Sequence, residues 1–353
     1  MYTYTELIIA NKDSFITNFN QFWSAELEKM DSGFTKSYQL STGSRLRPIL
    51  AAWGYYALFS VEEAQEKEKN YDLLLKNSYS IELLHKSSII IDDLIDHDSM
   101  RNGAPTFHKE YGDFEAILFS IHLIGNAFKN LGVFSNEHIL PGNSALGIGL
   151  LADTLTQMSL GGLEELSLNK SSEKIFNIKF IQDIIEKETS TLIQNSYLIG
   201  LLSSKKNPSS KIFNLTKDIG NLNGHIFQLY NDIEPFASTS KNEQHKGSLN
   251  FDFSSSRKNF VVAYLYGTAN NTDKKTIESL IAHEQSDLTK KEIFDLIDKY
   301  NILSKVLDYG ESLQKKIFKN LDALDAELDN KQYIHEFTLF IEHMIGTALD
   351  KLS

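Results

Sequence analysis

Five prolines, at positions 48, 105, 141, 208 and 235, are all that punctuate this 353-residue chain. A proline inside a helix deletes a hydrogen bond and collides with the preceding turn, so each marks an edge or a loop. Between these marks, apolar residues recur every three to four positions over long segments, among them 73–98, 143–160, 176–203, 211–233, 291–306 and 308–325. Alternation of period two is rare. The pattern predicts an all-α chain, several of its helices longer than about 15 residues, packed as a large bundle. Polar gaps at 164–175, 204–210, 237–256 and 269–275 read as loops, the longest of them a flap over a candidate site. No repeat and no hinge is seen, so one domain is expected over residues 1–353.

Composition narrows the function classes. A formal charge of −12 argues against general affinity for nucleic acid. The chain has no cysteine, which excludes disulfides and thiolate metal sites and agrees with a reducing, cytoplasmic setting. No apolar run reaches the ~20 residues needed to span a bilayer, and the first residues lack the basic flank of a signal peptide. Apolar residues make up 41% of the chain, enough for a large core and for an apolar tunnel that takes a lipid-like substrate.

Only four of the 35 basic residues are arginine: Arg45, Arg47, Arg101 and Arg257. A planar fork of donors suits a fixed phosphate better than a solvated surface. Arg45 and Arg47 lie in Thr42-Gly43-Ser44-Arg45-Leu46-Arg47-Pro48, and Arg101 follows Asp92-Asp93-Leu94-Ile95-Asp96. On a helix Asp92 and Asp96 share a face, where two like charges cost stability unless a cation lies between them. Magnesium reaches substrate phosphates through one or two such carboxylates. His85 stands two turns earlier on the same face. A solvated acidic helix end with a core histidine is the plainer reading, and residue chemistry alone leaves both open.

In order and spacing, these residues resemble the trans-isoprenyl diphosphate synthases, or polyprenyl synthetases. The resemblance rests on Arg45-Leu46-Arg47-Pro48, Glu82-Leu83-Leu84-His85, Asp92-Asp93-x-x-Asp96, Arg101 with Gly103, and Phe227-Gln228, and runs from about 40 to 265. It implies an all-α class I isoprenoid synthase bundle, usually a homodimer, with a central cavity between two aspartate-bearing helices. It also implies ionisation of an allylic prenyl diphosphate with three magnesium ions. Asp92, Asp93, Asp96, Arg101 and Lys258 would then carry catalysis. Arg45, Arg47, His85, Lys187, Thr189, Gln228 and Arg257 would bind substrate. Asp92 and Asp96, with Asn231, Asp232 and Glu234, would hold the metal. Ser87 and Ser88 would line the chain-length floor, and being small they allow products of about 15–20 carbons or more.

The chain departs from this pattern at its second site. Asn231-Asp232-Ile233-Glu234-Pro235 replaces the second aspartate motif, and Lys187-Glu188-Thr189 places a carboxylate where a lysine is expected. In the isopentenyl diphosphate pocket Ser44 and Asn102 replace a lysine and an arginine, and a neighbouring lysine such as Lys86 is a candidate substitute. Three readings follow. One is condensation of an allylic diphosphate with isopentenyl diphosphate. A second is ionisation without isopentenyl diphosphate, by a peptide-modifying prenyltransferase or a class I terpene synthase. The third is a non-catalytic subunit.

Overall fold

The computed structural model describes residues 2–30, 33–66, 71–132, 143–168, 172–204, 206–236, 258–282 and 287–350. Arg257 and the 237–256 stretch lie outside them. The principal helices are α1 (Phe15–Lys29), α2 (Leu46–Tyr56), α3 (Tyr71–Ile95), α4 (Asp113–Gly132), α5 (Asn143–Leu168) and α6 (Ile178–Ile185). They continue as α7 (Thr191–Ser203), α8 (Ser210–Ile233), α9 (Phe260–Thr268), α10 (Asn271–Ala282), α11 (Asp287–Lys299), α12 (Ile302–Asp325) and α13 (Lys331–Asp350). Two short strands, β1 (Met100–Arg101) and β2 (Ala104–Pro105), pair antiparallel between α3 and α4. Among the described residues no helix is long and apolar enough to cross a membrane.

Helix α7 is the axis of the bundle. Every one of its residues is buried, and α2, α3, α5 and α8 all pack on it. A helix surrounded on all sides has no polar face to show, and its own polar groups must find partners inside. Asn195 donates to Thr154 Oγ1 at 2.8 Å and to the Leu150 carbonyl at 3.2 Å, tying α7 to α5. Gly54 on α2 and Gly200 on α7 make the tightest crossing. A Cβ at Gly200 would lie 1.8 Å from the Ala51 carbonyl oxygen, and one at Gly54 would lie 2.0 Å from that of Tyr197. No other side chain permits this approach, which carries Arg45 and Arg47 at the start of α2 against the interior.

Three expected boundaries move. Helix α5 runs on through Leu160-Gly161-Gly162-Leu163 to Leu168, so the loop expected at 164–175 begins later. The glycines are not a stop: a Cβ at Gly161 would meet Glu188 Cγ at 2.5 Å, so Gly161 lets α5 approach the neighbouring chain. The gap at 269–275 is mostly helix, since Asn270 Oδ1 accepts from the backbone N–H groups of Thr272 and Asp273 and caps α10. The break expected near 307 falls instead at Asn301, which takes a left-handed φ of 49°.

Candidate active site

The first pole of the site is built where α3 ends. His97 N–H bonds to Leu94 O and Asp98 N–H to Asp93 O, with His97 left-handed at φ 57°. This double bond pattern is a Schellman cap, and it stops the helix one turn past Asp92 and Asp93. The chain then turns back through Asn102 (φ 52°) and Gly103 (φ 79°). Two positive φ values in sequence are the signature of a type I′ hairpin, a signal present in the sequence as Asn-Gly. The hairpin returns Arg101 to the helix end, where its Nε lies 2.6 Å and its Nη2 2.5 Å from Asp93 Oδ1. Nη2 also lies 3.4 Å from Asp92 Oδ2. Burial raises the pKa of Asp93 while Arg101 opposes it. Burial would lower Arg101, but Asp93 outweighs that and raises it.

Asp93 is fully buried and its second oxygen, Oδ2, has no hydrogen-bond partner; Asp92 is 62% exposed at its side chain and Asp96 half-buried. Among the described residues no three acidic or histidine side chains converge into a closed cage. The all-oxygen donor set of Asp92 and Asp96 nevertheless fits a hard cation that keeps substrate oxygens as its remaining ligands.

About three turns up α3 from Asp92, a cluster of cations surrounds Glu82. Arg45, left-handed at φ 53° just before α2, turns inward. Its Nη1 donates to Glu82 Oε1 at 3.0 Å, its Nη2 to the Leu40 carbonyl at 3.1 Å, and its guanidinium lies 4.4 Å over the Trp23 ring. Arg45, expected beside phosphate, is therefore a latch between α1, α2 and α3. Arg47 differs: its Nε is buried with no hydrogen-bond partner, and burial lowers its pKa against the pull of Glu82. His85 is driven well below the ordinary imidazole range by burial and then by Arg47, Lys86, Arg101 and Arg45, so it is neutral at pH 7. Ser87 and Ser88 turn their hydroxyls back onto their own helix, at 2.7 Å from Leu84 O and 2.8 Å from His85 O.

The second pole lies where α5, α8 and α9 meet the turn between α6 and α7. That turn, Glu186–Ser190, is one turn of π-helix, a bulge in a helix expected to be continuous. It directs Lys187 to Glu164, at 2.5 and 2.6 Å from its two oxygens, and Glu188 inward. Lys258 is clamped between Glu165, 2.6 Å away, and Glu188, which makes a still shorter contact. Burial would lower Lys258, but the two carboxylates override it and raise it. Glu165 is lowered by Lys258 in spite of burial, whereas burial pushes Glu188 up to about 8. Sequence reading missed Glu165 because it fell in an expected loop; its only signal was the helix-forming run Leu163-Glu164-Glu165-Leu166.

Around the surviving aspartate, Thr189 Oγ1 donates to Gln228 Oε1 at 3.1 Å, and Gln228 Nε2 donates to Asp232 Oδ1 at 2.8 Å. Phe260 N–H donates to Asp232 Oδ2 at 2.8 Å. Both oxygens of Asp232 are thus engaged, and burial lifts its pKa to about 6. Asn231 is half-buried beside it. Glu234 opens a 3₁₀ turn, Glu234–Phe236, into which Pro235 bends the end of α8. The structure therefore brings Thr189, Gln228, Asp232 and Lys258 together, and sends Lys187 elsewhere.

The chain is similar to known proteins over most of its length. The geranylgeranyl diphosphate synthase of Sulfolobus acidocaldarius is 27% identical over 322 residues, covering 87% of this chain and 90% of its own. Heptaprenyl diphosphate synthase from Staphylococcus aureus superposes with a TM-score of 0.77 at 19% identity, over 95% of this chain and 98% of that one. A geranylgeranyl pyrophosphate synthase from Corynebacterium glutamicum, complexed with isoprenyl diphosphate and magnesium, superposes at 0.71 with 16% identity and 96% coverage of both. At such identities the solved structures establish the fold, the all-α class I isoprenoid synthase bundle. The sequence model described as polyprenyl synthetase matches residues 32–297, well over half of the chain. With the fold, the aspartate-bearing end of α3 and that match in agreement, the chain belongs to the polyprenyl synthetase family of prenyltransferases.

Proposed function

We propose that the protein condenses an allylic prenyl diphosphate with isopentenyl diphosphate, in the presence of magnesium, to give a longer prenyl diphosphate. The observation that carries this reading is the first pole: a carboxylate-tipped helix end held by Arg101, with an unpartnered Arg47, a neutral His85 and Lys86 two turns behind it. Two diphosphates need such a pairing, one approached through carboxylates and one through bare cations. The names of the curated relatives support elongation. The readings without isopentenyl diphosphate rest on the altered second motif, where both oxygens of Asp232 are already engaged.

Magnesium, when bound, neutralises charge on the departing diphosphate. The residues do the rest. Asp92 and Asp96 would hold the ions, while Asp232, with Asn231 and Glu234, would have to leave its present partners to join them. Arg101 opposes the rise that burial imposes on Asp93 and holds it in place through a charge-assisted pair. His85, neutral, donates a hydrogen bond without needing a proton from solvent. Ser87 and Ser88, their hydroxyls satisfied by their own helix, offer a prenyl tail a small and unobstructing wall, consistent with products of about 15–20 carbons or more. The reading includes a homodimer. Phe114, Ile117, Leu118 and Ile121 on α4 recur at helical spacing, all exposed, Phe114 by 78%, and α5 adds Leu160 and Leu163. An apolar face of this kind is typical of an interface.

The test is to incubate the protein with magnesium and geranyl or farnesyl diphosphate, with and without isopentenyl diphosphate. Longer diphosphates formed only when both are present are the expected result. Diphosphate release with hydrocarbon or alcohol products in the absence of isopentenyl diphosphate would overturn it.

A further inference from the structure

Lys86 is an unusual residue to bury. It is 4% exposed, yet among the described residues its ammonium makes one hydrogen bond, to the Thr42 carbonyl at 2.6 Å. The nearest carboxylate oxygen, Glu82 Oε1, is 3.9 Å away and already accepts from Arg45 at 3.0 Å. An ammonium has three donors, and burying it without a close counter-ion is costly. Its other neighbours make this worse, because Arg45, Arg47 and Arg101 all repel it. Burial and these charges together lower it to about 8.

Its position explains what it is held for. The ammonium lies against the Thr42–Gly43 backbone, so close that a Cβ at Gly43 would stand 2.9 Å from Lys86 Nζ. Ser44 follows directly, and it is exposed and carries no charge. Lys86 therefore reaches from α3 to the loop position at which a cation is missing, within the field of Arg47, whose Nε is buried and unpartnered. Glu82 is shared among Arg45, Arg47 and Lys86, and Asp93 is taken by Arg101, which leaves this corner with more positive charge than its carboxylates cancel. A diphosphate is an anion of the size and charge that such a corner accepts.

We propose that Lys86 supplies the cation that Ser44 does not, its ammonium leaving the Thr42 carbonyl to bind the diphosphate of isopentenyl diphosphate beside Arg47 and His85. The assignment rests on the elongation reading above. Lys86 is a specificity-determining residue for the second substrate, displaced from the loop onto the facing helix.

The experiment is calorimetric titration of isopentenyl diphosphate into the full-length chain in EDTA, for wild type, Lys86→Met and Lys86→Met with Ser44→Lys. Losing one charge-assisted hydrogen bond to the diphosphate should raise Kd by about tenfold or more in Lys86→Met. Ser44→Lys in that background should recover most of the loss. Binding of farnesyl diphosphate with magnesium should stay as in wild type, and thermal melting of Lys86→Met should be no lower. Equal Kd values for wild type and Lys86→Met, or no binding by wild type, would overturn the assignment. A loss of stability accompanied by equal weakening toward both diphosphates would mark a merely structural lysine and also overturn it. If binding behaves as expected but no longer diphosphate forms with farnesyl diphosphate and magnesium, the elongation reading falls and Lys86 remains a diphosphate ligand. If elongation proceeds and Lys86→Met keeps the wild-type KM for isopentenyl diphosphate, Lys86 falls and elongation stands.

Discussion

The two poles of the site are electrostatic opposites. Along the second half of α3, Arg45, Arg47, Lys86 and Arg101 gather around Glu82 and Asp93, and burial holds Arg47 and Lys86 below their ordinary range while it raises Asp93. Where α5, α8 and α9 meet, Lys258 faces Glu165, Glu188 and Asp232, and the burdened groups are carboxylates: Glu188 and Asp232 are pushed up. The first pole is organised for an anion to arrive. The second is organised for positive charge, from protons or metal ions. A diphosphate entering the second pole meets Lys258 already neutralised, so cations brought along would be needed to offset its charge there.

The largest test of this contrast is loss of an aspartate from the first pole against loss of a polar group from the second. Asp92→Ala should lower kcat by ~10³-fold or more, the scale expected when electrostatic stabilisation of a leaving group is removed. Asn231→Ala, which removes only a neutral carbonyl, should cost about tenfold or less. Steady-state rates with farnesyl and isopentenyl diphosphates measure both, and equal losses would erase the distinction between the poles.

A smaller effect is expected at Glu188. Glu188→Gln leaves Lys258 with one carboxylate and should lower the KM of the allylic diphosphate by about tenfold or less. The same variant changes the pH dependence of folding. A carboxyl whose folded pKa is raised, here from 4.5 to about 8, stabilises the fold fully below 4.5 and loses that contribution as pH rises through 8. Wild type should therefore lose stability between pH 5 and 8 in urea melts, and Glu188→Gln should lose less. Identical slopes would mean that Glu188 is not the strained member of the trio.

The contrast explains which parts of the site were legible in the sequence. The first pole lies on one continuous helix, so Glu82, His85, Asp92, Asp93 and Asp96 stand at the spacings that their shared face requires. Arg101 was legible through the resemblance, which pairs it with Gly103; the hairpin that returns it to the helix end is seen only in the structure. Arg45 was not. An arginine two residues from another arginine gives no sign that one is latched on Glu82 and Trp23 while the other keeps a free Nε; the left-handed φ at Arg45 decides that. The second pole is assembled from four separate elements. The π-turn at Glu186–Ser190 rotates Lys187 out and Glu188 in, and Glu165 arrives from a helix that runs on into the polar gap expected to be a loop. Such a meeting depends on the close approach of α5 at Gly161, and no local pattern encodes it.

The smallest effect, on stability, sits at Lys86 and runs opposite to that of Glu188. The lysine is faced by Glu82 and His85 on its own helix, by Arg45 and Arg47 at the start of α2, and by Arg101 on the hairpin. Its folded pKa lies below its unfolded value, so the penalty is complete below pH 8 and is relieved as pH rises from 8 toward 10.5. A shift of that size corresponds to about 3 kcal/mol at pH 7, and loss of the Thr42 hydrogen bond offsets ~2 kcal/mol of it. Lys86→Met should therefore be more stable than wild type at pH 7 by about 1 kcal/mol, with the difference vanishing at pH ~9 and reversing to about 1 kcal/mol in favour of wild type at pH ~10. Urea midpoints at these pH values measure it. A variant less stable at pH 7 would show that Lys86 holds the fold together, and the first pole would then carry no surplus charge kept for a ligand. A stabilised variant that binds isopentenyl diphosphate poorly would show that the fold retains this charge at a cost to its own stability, as a residue kept for a ligand requires.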